Sequence, residues 1–294
     1  MTSKTRALLL TARPKTLSAA VVPVLVASAL VKSEGRLVTW WIPTFAILSS
    51  IFIQIGTNFV NDALDFVKGA DREARLGEAR AAQSGWFSHH SVLMMGLACF
   101  AAAAVFGLPL VWLGGWPILA IGLVSLLMGY AYTGGPYPLA YVGLGDLFVI
   151  IFFGLVAVGG VYYLLTGEYA LPALVAGLQI GMLATVMIAI NNLRDLDQDR
   201  EVGKKTFAVR LGPKRGRLEV LFLFVASFAL NLFWVTRGNY WAAALPLLAM
   251  PPAGRVAVNL LKTEASREYN FLLAKGAAVH MLFGLLISVG FCLA

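Results

Sequence analysis

Two stretches of this sequence place carboxylates and carboxamides where apolar chain surrounds them. The first reads Asn58-Phe-Val-Asn61-Asp62-Ala-Leu-Asp65-Phe-Val-Lys68-Gly69-Ala-Asp71. On a helix Gln54, Asn58, Asn61, Asp62 and Asp65 recur every three or four residues, so a polar stripe climbs one face. Gly69 permits a turn that brings Asp71 back toward the same place. The second stretch reads Asn191-Asn192-Leu-Arg194-Asp195-Leu-Asp197-Gln198-Asp199, with Asn191, Asp195 and Asp199 four residues apart. Any one such carboxylate is equally well a solvated helix flank. Two facing clusters, however, repel unless a cation lies between them, and each stands at a helix C-terminus whose dipole disfavours it. Oxygen ligands without suitably spaced His or Cys point to Mg²⁺, which keeps waters and bridges carboxylates to phosphates. Lys68, Arg72, Arg75 and Arg80 follow the first cluster, and Arg200, Lys204, Lys205 and Arg210 the second. Carboxylates, metal and basic side chains together make a diphosphate clamp.

The elements that carry these residues are membrane spans. Of 294 residues 59% are hydrophobic and 13% charged, which excludes an ordinary soluble domain, at roughly 25% charged. A span takes about 20 apolar residues. Runs near 17–32, 39–62, 91–110, 116–133, 144–165, 170–193, 218–236, 240–260 and 273–293 predict about nine crossings in one all-α membrane domain. With the N-terminus inside, twenty of the 23 Lys and Arg fall on the inner side, and Lys32, Arg36 and Arg237 outside. The bias predicts a cytoplasmic N-terminus and an outer C-terminus. The net charge of +8 therefore reads as membrane topology rather than nucleic-acid binding. Trp40, Trp41, Trp112, Trp116, Trp234 and Trp241 lie near span ends, as an aromatic belt would. The connections 63–90 and 194–217 are long, polar and on the inner side, so both clusters meet at one membrane edge. A diphosphate held at the mouth of an apolar bundle implies a greasy remainder of the substrate. Gly177-x3-Gly181 reads as close helix packing.

These residues resemble the UbiA superfamily of intramembrane aromatic prenyltransferases. Asn61, Asp65 and Asp71 match its first aspartate motif in the spacing of the menaquinone branch, and Asp195 with Asp199 matches its second. Further similar blocks are Arg13-Pro14-Lys15-Thr16-Leu17, the Asp71 to Gly85 loop with Gln83-Ser84, Tyr132 to Leu139 with Gly143-Leu-Gly145, and Gly203-Lys204-Lys205-Thr206. Ser18 and Glu78 depart from an expected proline, Asp146 from glutamate and Phe207 from leucine. From about residue 213 onward no motif occurs, and the chain reads as packing.

The resemblance implies a UbiA-like bundle in the cell (inner) membrane with cytoplasmic active-site loops. It implies transfer of a long chain from polyprenyl diphosphate to 1,4-dihydroxy-2-naphthoate, with loss of a proton and carbon dioxide. Mg²⁺ is then held by Asp65, Asp71, Asp195 and Asp199, with Asn61 orienting. Lys68, Arg75, Arg80 and Lys204 contact the diphosphate. Tyr132 faces the allylic cation, and Asn191, Asn192 and Asp62 face the acceptor. Two alternatives stay open: another aromatic acceptor such as 4-hydroxybenzoate or homogentisate, and a cation-coupled transporter. Transporter sites lie near the bilayer midplane on interrupted helices, whereas these clusters lie at one edge.

Overall fold

Backbone crossing a bilayer must satisfy its own hydrogen bonds, which leaves helices or closed barrels. Long apolar runs without strict alternation choose the helix, and the computed structural model, which describes residues 3–70, 76–77 and 80–294, has helices joined by turns and loops, with no strand among those residues. The elements are α1 (Ser3–Ala12), a 3₁₀ turn (Pro14–Thr16), α2 (Ser18–Ser33), α3 (Trp41–Val67) and α4 (His89–Ala131). Then come α5 (Leu139–Val142), α6 (Gly145–Val149), a π segment (Ile150–Val156), α7 (Ala157–Thr166), α8 (Leu171–Arg194) and α9 (Leu196–Glu201). The chain closes with α10 (Phe207–Ala229), α11 (Asn231–Thr236), α12 (Tyr240–Ala244), a 3₁₀ turn (Leu245–Ala249), α13 (Met250–Lys262) and α14 (Tyr269–Cys292).

Helix α4 is not one rod. Gly115 breaks it with φ 68 and ψ −154, a conformation open to glycine and forbidden to most residues. Pro117 follows directly. A straight helix would separate Phe100 from Gly129 by about 43 Å, yet a Cβ built on Gly129 would lie 3.2 Å from Phe100 Cζ. The two arms therefore double back and pack side by side on α3. Gly56 and Gly96 allow that approach, since a Cβ on Gly56 would meet Gly96 O at 2.9 Å.

Seven of the described helical segments are long and apolar enough to cross a membrane, or eight with the bent pair of α1 and α2. This differs from the nine runs of the sequence for two reasons. The doubled α4 counts once, and α2 has 16 residues, short of a full span unless joined to the segment before it. The protein is a multi-pass membrane protein.

Helix α8 is the buried centre, packed against α10, α14 and the π segment. Gly177 and Gly181 seat it on the π segment, where added Cβ atoms would lie 3.0 Å from Gly154 O and 2.6 Å from Ile150 O. The close packing expected of that glycine pair is thus found. Gln179 ties α8 to α10 and α11 by donating to Ser227 O and Asn231 Oδ1 and accepting from Trp234 Nε1 at 2.8 Å. Trp234 is fully buried, which corrects its assignment to the aromatic belt. Trp40, Trp41, Trp112, Trp116 and Trp241 are exposed, two of them flanking the Gly115 reversal.

Candidate active site

The stripe on α3 divides between two jobs. Gln54, Asn58 and Asp62, each one turn apart, hold the N-terminal segment. Gln54 Nε2 donates to Thr16 Oγ1, Asn58 Nδ2 to Ala12 O at 3.0 Å, and Thr11 Oγ1 donates to Asp62 Oδ2 at 3.2 Å. Asp62 also accepts the amides of Ala81 at 2.9 Å and Ala82 at 3.4 Å. Its oxygens thus secure α1 and the loop after residue 80.

Asn61 and Asp65 face the other way. Asn61 Oδ1 accepts from Thr133 Oγ1 at 2.6 Å. Asp65, 4% exposed, pairs through Oδ2 with Arg80 Nη1 at 2.9 Å. Its Oδ1 accepts from Tyr141 Oη at 2.9 Å and lies 3.3 Å from Lys204 Nζ. Lys204 reaches Asp199 Oδ1 at 3.5 Å, so one ammonium joins the two acidic segments. The Tyr141 ring lies between two lysines, with Lys68 Nζ 4.5 Å and Lys204 Nζ 4.8 Å from its centroid. Lys68 also donates to Thr133 O.

Local chain geometry sets these positions. At the end of α3, Gly69 takes φ 71 while the Ala70 amide bonds Asp65 O and the Gly69 amide bonds Phe66 O, a helix stop that needs a left-handed residue. Gly203, at φ 74, turns the chain after α9, so that the Lys204 amide bonds Asp199 O and the Lys205 amide bonds Tyr141 O. Thr206 caps α10 by accepting from the Val209 amide.

The second acidic segment bends at Asp195, which leaves helical geometry at φ −95 and ψ 10. Arg194 folds back onto it with both arms, Nε to Oδ1 at 2.7 Å and Nη2 to Oδ2 at 2.6 Å. The same guanidinium holds Asn191 Oδ1 and Asn270 Oδ1. Asn192 Nδ2 donates to Asp146 Oδ1 at 3.4 Å. Asn61, Asp65, Lys68, Arg80, Asp199 and Lys204 therefore come together, while Asn191 and Asp195 belong to the Arg194 hub and Asn192 points to Asp146. Asp71 and Arg75 lie outside the described residues. Thr133 and Arg194 fell within quoted motifs without a site role, and Tyr141 and Asn270 were not singled out by the sequence.

Burial pushes the Asp199 carboxyl up to about 6, against the pull of Lys204 and with the carboxylates of Asp195 and Asp65 adding to the rise. Burial lowers the Lys68 ammonium, which Asp65 partly restores.

Tyr132 stands between this polar site and an apolar cleft of about 210 Å³. Ile53, Leu110, Ile118, Phe152 and Leu164 line the cleft below it. Along α4 the cleft runs about 21 Å from Tyr132 to Ile118 at 1.5 Å per residue.

No group of three His, Cys, Asp or Glu side chains forms a ready metal cage among the described residues. The donor chemistry nevertheless fits a hard cation. Asp65 and Asp199 converge on the charge of Lys204, and Mg²⁺ takes one or two carboxylates plus phosphate oxygens and water.

Known proteins resemble this chain in sequence and in fold. Over 290 residues the chain is 33% identical to a 1,4-dihydroxy-2-naphthoate octaprenyltransferase of Haemophilus influenzae, covering 95% of this chain and 94% of that one. A UbiA homolog from Aeropyrum pernix, solved without ligand, superposes with TM-score 0.71 at 18% identity, covering 92% of this chain and 97% of that one. A UbiA homolog from Archaeoglobus fulgidus bound to GPP and Mg²⁺ superposes with TM-score 0.64 at 14% identity, covering 98% and 100%. The model of the UbiA prenyltransferase family matches residues 20–286, and on that match together with the full-length relative, the chain belongs to the UbiA prenyltransferase family.

Proposed function

We propose that this protein transfers a long polyprenyl chain from its diphosphate to 1,4-dihydroxy-2-naphthoate, releasing diphosphate and carbon dioxide. It acts as a single integral-membrane domain of about nine crossings in the cell (inner) membrane, with its N-terminus and its site on the cytoplasmic side. The observation that carries the reading is the convergence of Asp65 and Asp199 on one cation beside a long apolar cleft. The relative's name supports the naphthoate acceptor, and the distribution of Lys and Arg supports the orientation.

Asp65 and Asp199 would hold Mg²⁺, with Asp71 joining them and Asp195 doing so once Arg194 releases it. Bound there, the metal neutralises charge that grows on the leaving diphosphate. Arg80, Lys68 and Lys204, with Arg75, bind the diphosphate oxygens as charge-assisted donors. The cleft takes the isoprenoid tail, so water is excluded on the side where the allylic C–O bond breaks. The Tyr132 ring, at the head of the cleft, offers its electron-rich face to the developing cation. Asn191 and Asn192 orient the acceptor, and Asn61 is fixed by Thr133 to orient the donor.

Purified protein in lipid, given a long polyprenyl diphosphate with dihydroxynaphthoate and 4-hydroxybenzoate in competition, tests the reading. Prenylation of the naphthoate with carbon dioxide release, lost in chelator and restored by Mg²⁺, is the expected result. Prenylation of the benzoate alone overturns the acceptor, and no transfer to either overturns the function.

A further inference from the structure

Lys204 occupies the place between the two acidic segments. Its ammonium is 3.3 Å from Asp65 Oδ1 and 3.5 Å from Asp199 Oδ1, and its side chain is 13% exposed. This is a built position rather than a chance rotamer. The left-handed turn at Gly203 and the bonds from the Lys204 amide to Asp199 O and the Lys205 amide to Tyr141 O fix the backbone. The Tyr141 face, 4.8 Å away, supports the ammonium from the side.

An ammonium and a divalent cation cannot share these two oxygens. Mg²⁺ demands oxygens at about 2.0–2.1 Å in near-octahedral array, which requires Lys204 to leave. Pulling one partner from a buried ion pair is strongly unfavourable unless another counter-charge receives it. The donor's diphosphate is such a counter-charge, and Lys68 and Arg80 already stand beside the pair to hold it.

We infer that Lys204 is a resident counter-cation that keeps the Asp65–Asp199 pair closed to divalent metal until the donor's diphosphate draws its ammonium away. Metal and donor then bind as a unit. The inference rests on the prenyl-transfer reading for the identity of the anion. It makes Lys204 the residue through which the two ligands are coupled, and such coupling is reciprocal.

The test is Mn²⁺ binding to the full-length protein in lipid nanodiscs, followed by electron paramagnetic resonance and corrected for metal complexed by the analogue. Wild type is measured alone and with farnesyl thiolodiphosphate, an unreactive donor. The analogue is expected to tighten Mn²⁺ binding to wild type by roughly 5- to 150-fold, the ordinary range of coupling between sites. K204M is expected to bind Mn²⁺ without analogue at least about fivefold more tightly than wild type, whereas K204R, which keeps the charge, stays near wild type. Thermal unfolding in chelator reports the same exchange, with K204M less stable than wild type and gaining more from added Mn²⁺. Equal Mn²⁺ affinity of wild type and K204M without analogue overturns the inference alone. So does wild-type binding of Mn²⁺ that the analogue leaves unchanged, a result that needs no variant to fold. Absence of Mn²⁺ binding to every protein, with and without analogue, overturns the metal–diphosphate reading and this inference together.

Discussion

Replacing Tyr141 by phenylalanine removes one hydroxyl from the centre of the site. That hydroxyl donates to Asp65 Oδ1 at 2.9 Å, the same oxygen that faces Lys204. A hydrogen bond to a charged group contributes about 1.5–3 kcal/mol. At about 1.36 kcal/mol per tenfold in rate, Y141F lowers kcat/KM for the donor by roughly 10- to 150-fold. The ring remains between Lys68 and Lys204, so their cation–π contacts survive in Y141F and are lost in Y141L. Each lost contact removes a further 0.5–1 kcal/mol or so, about two- to fivefold per lysine. The assay is prenyl transfer at saturating acceptor while donor and Mg²⁺ are varied separately. The loss falls on the donor and metal dependence and leaves the acceptor KM unchanged. Y141F within about twofold of wild type on both axes would show that the hydroxyl does not hold Asp65, and the argument for Tyr141 would fail.

Other substitutions separate scaffolding from chemistry. Asp62→Ala strands the buried amide of Ala82 and leaves that of Ala81 with Thr11 Oγ1 alone, at about 1–3 kcal/mol for the donor left unsatisfied, and is expected to lower the thermal unfolding temperature while the residual folded enzyme keeps its turnover. Asp65→Ala should do the reverse in assays of the folded fraction, abolishing turnover, and equal behaviour of the two variants would refute the division of the α3 stripe. Gly181→Leu drives a side chain toward Ile150 O, 2.6 Å from its Cβ, and should prevent recovery of folded protein from membranes. Gly122 lines the cleft, and a Cβ there meets nothing within 4 Å. Gly122→Leu should therefore leave stability intact and lower kcat/KM for a long donor by at least about tenfold relative to geranyl diphosphate, read by product analysis with mixed donors.

The spans were legible because a bilayer sets a length that composition alone reveals, and both arms of α4 stood out as separate runs on either side of Gly115. Asp65, Asp199, Arg80 and Lys204 were legible because charge is costly beside an apolar membrane helix and is kept there where it binds or reacts. The division of the stripe was not. Five polar residues spaced by three and four cover an arc wide enough to touch two neighbours, and sequence gives no way to tell which residue meets which. Asn58 and Asp62 turn to the N-terminal segment, Asn61 and Asp65 to the loop bearing Thr133 and Tyr141. Tyr141 was missed because nothing distinguishes one of nine tyrosines until the loop folds over Asp65. The Arg194–Asp195 pair was missed for a geometric reason. Adjacent residues on a helix do not face each other, and only the break at Asp195 lets the guanidinium reach back.

That break also draws the last helix into the site. Asn270, at the start of α14, accepts from Arg194 Nη1 at 2.6 Å and donates to Leu76 O at 2.8 Å. It therefore spans the second acidic segment and the loop that follows the first. The chain beyond residue 213, which the sequence marked as packing, thus supplies a side chain that touches both. Lys204 joins Asp65 to Asp199 through charge, and such a tie is exchangeable for another cation. Asn270 joins the same two segments through its uncharged carboxamide, which accepts from the Arg194 guanidinium and donates to Leu76 O, so this tie does not depend on the ammonium of Lys204. A site that must open its central ion pair to admit a metal needs a second tie of that kind, because the carboxylates would otherwise separate when the ammonium leaves.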